Sequence, residues 1–182
     1  MNGTERIKAA YERHLKLIVQ RPSIAKGTQI VKVMVREGLT CDIEAKSRKL
    51  VTDVALDQGG SDQGPSPGDY CLSGLGGCLA IGYMIHAAKL GIPISSLEVE
   101  IQADYDLHGE YGLNDTPAGY LAIRYIVNVE SPADESDILR ILDETDAVDS
   151  MLDTFRRPIP MDRELRLKRV EINESSRENT HG

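Results

Sequence analysis

Gly64-Pro-Ser-Pro-Gly-Asp-Tyr-Cys-Leu-Ser-Gly-Leu-Gly-Gly-Cys78-Leu-Ala-Ile-Gly-Tyr-Met-Ile-His-Ala-Ala-Lys-Leu-Gly91 carries its own start and stop signals, and they predict one long helix. Ser66 suits the N-cap, and Pro67 suits the first helical position, where a missing N–H leaves no bond unmade. Asp69, three residues after Ser66, completes a near capping box. Gly91, with Pro93 close behind, ends the segment. About 24 residues lie between these marks, ~36 Å of helix. Apolar side chains fall on almost every face, so the helix is expected to be buried rather than amphipathic. Gly74, Gly76, Gly77 and Gly82 interrupt it, each at roughly 1 kcal/mol relative to alanine. That cost is reasonable where a neighbour must approach the backbone closely, and Cys78 sits among these small residues.

Outward from this helix, the chain of 182 residues is long enough for one domain. With one Phe and no Trp, aliphatic side chains must fill its core. A net charge of −8 argues against a nucleic-acid surface. No apolar run reaches ~18 residues without a polar interruption, so no membrane span is expected. Met1 to Arg13 lacks a signal-peptide pattern, and three cysteines without framework spacing fit a reducing cytoplasm. No Cys/His cluster suggests a metal, and no cofactor motif is present.

Before the helix, Thr4 is expected to cap a first helix running to about Gln20, stopped by Arg21-Pro22. Gln29–Val35, Leu39–Ala45 and Lys49–Val54 read as an antiparallel meander. After the helix, Leu97–Tyr105 alternates with Glu98, Glu100, Gln102 and Asp104, a strand with one wet face. Gly119–Val129 reads as a second long strand. Pro132 and Asp134 open another helix, Asp149–Phe155 is a short helical turn, and Arg163–Ile172 is expected as a last strand. Strands in a block, a buried helix, then further strands and helices indicate α+β.

The run Gly64-Pro-Ser-Pro with an acid at 69 and Leu75-Gly-Gly-Cys78 in one register resembles the OsmC/Ohr family, named for osmotic induction and organic-hydroperoxide resistance. The likeness continues through Ile81–Ile92 and reaches the Leu152–Pro160 stretch, covering about residues 29 to 172. It implies an OsmC-like fold, with antiparallel sheets wrapped around the central helix of an intertwined homodimer whose sites lie at the subunit interface. The division expected is an N-terminal helical extension over 1–27, the OsmC-like domain over 28–172, and a flexible tail over 173–182. The chemistry implied is reduction of organic hydroperoxides by a cysteine pair.

Carried over by position, Cys78 matches the nucleophilic cysteine and Asp69 the acid near the helix start. Arg36 best matches the arginine that holds the thiolate, with Lys32 and Arg48 as alternatives. The second, resolving cysteine is missing. Its position falls at Asp149, followed by Ser150, so an external thiol is expected as the reductant. A peroxidatic thiol must be accessible and have its pKa lowered from ~8.5 by nearby positive charge. The competing readings are plain ones. Cys78 could be a small buried core residue, Asp69 a helix cap, Arg36 a solvated turn residue, and Asp149 an N-cap whose charge would oppose a thiolate. His86 is expected to be a core histidine with a satisfied ring nitrogen. Arg156-Arg157 is expected to pair with the acidic surface. Cys41 and Cys71 are read as packing, and Cys71 cannot bridge Cys78 within one helix, because seven residues span ~10.5 Å against a ~7 Å Cα limit. The alternatives to peroxidase function are a non-enzymatic dimer binding an apolar small molecule in the interface pocket, and a structural stress-induced dimer.

Overall fold

The computed structural model describes residues 3–169. The elements are α1 (Gly3–Gln20), β1 (Val31–Glu37), β2 (Thr40–Ala45), β3 (Arg48–Thr52), α2 (Pro67–Leu90), β4 (Ser96–Asp104), α3 (Leu107–Glu110), β5 (Ala122–Glu130), α4 (Glu135–Asp146) and α5 (Ser150–Arg156). Two antiparallel sheets result, β1-β2-β3 and β4-β5, and the fold is the α+β arrangement expected.

α2 forms as its signals dictate. The Ser66 side chain accepts from the Asp69 amide, the Asp69 carboxylate accepts from the Ser66 amide, and Gly91 closes the helix in the left-handed region at φ 72°. By length and composition it would suffice to cross a membrane, although its polar interruptions predict no span. Here it is the core helix. Leu75, Leu79, Tyr83 and Ala87 are buried with Ile92, Ile141 and Leu152. β4, α4 and α5 pack on α2, and α1 leans on it from outside. Lys89 Nζ sits 5.0 Å from the Tyr11 ring centre, a cation–π contact that ties α1 to the end of α2.

The interior glycines mark close approaches at two positions. A Cβ on Gly76 would lie 3.1 Å from Ile101 Cγ1, and one on Gly82 would lie 2.6 Å from Thr145 Cγ2. β4 and α4 therefore pack directly against the backbone of α2. At Gly77 a Cβ would meet nothing within 4 Å.

Burial in β4 and β5 alternates along each strand, with Ile101 opposite Tyr125 and Val99 opposite Val127. The wet face carries the expected charges, Arg124 pairing with Asp104 and Asn128 donating to Glu98. The loop between β3 and α2 is organised by Asp53, 1% exposed. Its carboxylate accepts from Thr40 Oγ1 at 2.8 Å and from the amides of Val54, Ser61 and Gln63. Burial alone would raise its pKa, but these four donors hold it below the ordinary aspartate value.

Two expectations need correction. Thr4 lies inside the first turn of α1 rather than capping it. Residues 163–169 are not a strand. Leu165 and Leu167 are exposed, and among the described residues no strand pairs with this segment. The rest of that expected strand, and the tail over 173–182, lie outside the described residues.

Candidate active site

α5 crosses α2 along the stripe of residues 74, 78 and 82. The Met151 methyl stands 3.8 Å from a Cβ built on Gly74, Asp149 Oδ2 stands 3.8 Å from one built on Gly82, and between them Cys78 Sγ lies 3.5 Å from Ser150 Oγ. The small residues around the cysteine let α5 come this close. Cys78 is half-buried and carries a free thiol. Ser150 thus provides a hydroxyl within sulfur hydrogen-bonding distance of the candidate nucleophile.

Asp149, which the resemblance aligns with the second cysteine of the family, caps α5. It is buried, and its Oδ1 accepts from the Leu152 amide at 2.8 Å. Its charge is engaged with the helix terminus one turn beyond Cys78 along α2, as the capping reading expected.

Asp69 is likewise a capping group. It accepts from the Ser66 amide at 2.9 Å and the Ser66 hydroxyl at 2.7 Å. The hydroxyl, followed by the amide, holds its carboxyl below the usual range. Nine residues separate it from Cys78, ~13.5 Å of helix, so the two do not touch within one chain.

Arg36 ends far from the thiol in terms of packing. It sits on the exposed β1 and pairs with Asp42 across the hairpin through both Nε and Nη2. That hydrogen bond raises the guanidinium pKa and lowers the carboxyl's. β1 shares no substantial contact with α2. Lys32 lies on the same strand, and Arg48 opens β3. None of these cations is brought to Cys78 within a single chain.

His86 is the core histidine expected. Nδ1 lies 3.1 Å from the Gly82 carbonyl and 3.0 Å from Thr145 Oγ1. The Thr145 hydroxyl donates to the Ile141 carbonyl at 2.8 Å. Both acceptors around the ring nitrogen therefore require it to be the donor, so Nδ1 carries the proton. Cys71 is exposed and Cys41 half-buried. Among the described residues, no group of three His, Cys, Asp or Glu side chains could hold a metal.

Sequence reasoning did not anticipate the half-buried network around Asp146. Tyr83, fully buried, donates to Asp146 Oδ1 at 2.8 Å, and Tyr125 donates to Oδ2. Burial first, then the Asp146 carboxylate, pushes Tyr125 up to about 12, with Arg156 acting in the opposite direction. Burial raises Tyr83 still further. The partners come from three elements, and nothing local in the sequence links them.

A sequence model described as "OsmC-like protein" matches residues 59–164, more than half of the chain. No match was found among curated proteins. Among solved structures, an OsmC-like protein from Mycoplasma pneumoniae superposes with a TM-score of 0.63 at 17% identity, covering 72% of this chain and 89% of that one. A hypothetical protein from Aquifex aeolicus superposes at 0.58 with 11% identity, covering 72% and 89%. An organic hydroperoxide resistance protein, OsmC, from Legionella pneumophila superposes at 0.51 with 13% identity, covering 71% and 90%. These identities speak for the fold, and together with the sequence match they establish that this chain belongs to the OsmC-like protein family.

Proposed function

We propose that the protein reduces organic hydroperoxides with Cys78 as the nucleophile. The observation that carries this reading is the half-buried Cys78 thiol held beneath α5, with the Ser150 hydroxyl 3.5 Å from its sulfur. The family match and the hydroperoxide-resistance name of the Legionella relative support the substrate class.

In the reaction, the thiolate attacks the terminal peroxide oxygen, the O–O bond breaks, and the leaving alkoxide takes up a proton to become the alcohol. Cys78 is left as sulfenic acid. Asp149 and Ser150 occupy the resolving position, so an external thiol supplies the reducing electrons. One thiol condenses with the sulfenic acid to release water and form a mixed disulfide. A second thiol regenerates Cys78 and leaves as a disulfide.

The working unit in this reading is a homodimer, supported by the amount of surface left uncovered. Val31, Val33, Met34 and Val35 of β1 are 48–65% exposed, and Ile81 of α2 is 64% exposed. In this reading a second copy covers these faces, and Arg36, which its own chain leaves away from Cys78, acts across the subunit boundary. Three free thiols are compatible with a cytoplasmic location.

The test is intact mass after one equivalent of cumene hydroperoxide, with and without a sulfenic-acid trap. The expected product is one trapped adduct at Cys78, absent in Cys78→Ser, with peroxide consumption lost in that variant. Arg36→Met should slow the reaction. Ser150→Ala should slow it by roughly tenfold or more, since a hydrogen bond to a charged partner is worth about 1.5–3 kcal/mol. Wild-type protein that forms no adduct and consumes no peroxide would refute the reading.

A further inference from the structure

A cavity of about 520 Å³ lies between α5, the start of β5 and the first half of α2, and Cys78 is not part of its lining. Leu75, Leu121, Ile123, Leu152 and Phe155 make its apolar wall, and Tyr120, Tyr125 and Arg156 supply its polar groups. Its size falls in the range of ~300–1,000 Å³ typical of small-molecule sites, where an apolar lining carries a few placed polar groups.

The charge pattern identifies the kind of ligand. Of the neighbouring arginines at the end of α5, Arg157 is engaged with Asp153 at 2.6 Å. Arg156 makes no ion pair among the described residues and stands beside the Tyr125 phenol. The Tyr125 hydroxyl donates a hydrogen bond to Asp146, and Tyr83 donates to the other oxygen of the same carboxylate. Asp146, the carboxylate that the lining residue Tyr125 contacts, is thus satisfied by two phenols, and the Arg156 guanidinium keeps a charge with no ion-pair partner among the described residues. A planar guanidinium matches a carboxylate with two parallel hydrogen bonds. A phosphate dianion would call for more donors than this single cation offers.

We propose that this cavity binds a small organic carboxylate, with its alkyl or aryl body against the Leu75, Leu152 and Phe155 wall and its carboxylate on Arg156. The site is separate from the thiol chemistry and stands whether or not Cys78 reduces peroxides.

The experiment is calorimetric titration of the full-length protein with sodium octanoate, alongside 1-octanol and octyltrimethylammonium, which share its body and differ in the head. Octanoate should bind at one site per chain, at least about tenfold tighter than octanol, with the cation not binding. Arg156→Gln should bring octanoate to the octanol level. Leu121→Trp, at a half-exposed rim position, should abolish binding of both by filling the cavity. Cys78→Ser should bind octanoate like the wild type, which separates this site from the peroxidase reading. Absence of octanoate binding, binding no tighter than octanol, or an unchanged affinity in Arg156→Gln would each overturn the proposal.

Discussion

The two sheets of this protein are built alike and end in opposite circumstances. Strands β4 and β5 alternate half-buried and exposed residues, and their inner faces lie on α2. Every residue of β1 is exposed, although the strand carries Val31, Val33 and Val35 on one face of its pleat. Both sheets have the sequence pattern of a strand that covers a core. Only β4-β5 finds that core inside its own chain. An apolar face of this extent left open is the mark of an interaction surface. The difference suggests that local patterning specifies a sheet without specifying which molecule completes it.

The sharpest way to break this comparison is Val33→Asp. A carboxylate buried at a subunit interface without a partner costs several kcal/mol, so the dimer proposed here should sediment as a monomer at low micromolar concentration. A dimer that survives the change would move the interface away from β1. On the other side of the comparison, Leu79→Ala removes a side chain with 0% exposure from the core on which β4 packs. It should lower unfolding free energy by about 3–5 kcal/mol in urea titrations. A smaller loss would mean that this core is looser than its packing indicates. Gly82→Ala places a Cβ 2.6 Å from Thr145 Cγ2 and should cost about 1–3 kcal/mol, despite the better helix propensity of alanine.

Ser66→Ala removes the cap of α2 and should cost about 1 kcal/mol, read by the same denaturation. The smallest effect at neutral pH belongs to acid titration. The Asp53 carboxyl is held below its ordinary value by Thr40 and three amides. Its contribution is complete above the unfolded value near ~3.9 and is lost as the pH falls through the lower folded value. The stability of the wild type should therefore drop on acidification below about pH 4, and Asp53→Asn should show a shallower acid limb. An identical limb in the variant would exclude Asp53 as a source of the pH dependence.

The limits of α2 were legible because the signals are local. Ser66, Pro67, Asp69 and Gly91 act on backbone groups within one turn of themselves. The reading that interior glycines admit a neighbour held at Gly76 and Gly82 for the same reason: only a close contact justifies their cost. It did not hold within this chain at Gly77, where the space is open. The capping roles of Asp69 and Asp149 were also legible, being fixed by short spacing to a helix start. Arg36 was not placed by its sequence neighbourhood. Its partner Asp42 lies across a hairpin whose register shifts between Val35 and Glu37, and that shift is a property of the paired strands.

What the sequence alone determined about this protein is therefore whatever acts over a few residues: the ends of the central helix, its helix caps and the alternation of its strands. Tertiary structure decided the rest. Cys78 and Ser150 are 72 residues apart in sequence, and Tyr83 and Asp146 are 63 apart. No local preference encodes such pairs. They form because the apolar faces of α2, α4, α5 and β4 can leave water together in only a few arrangements, and close packing then selects which polar side chains meet.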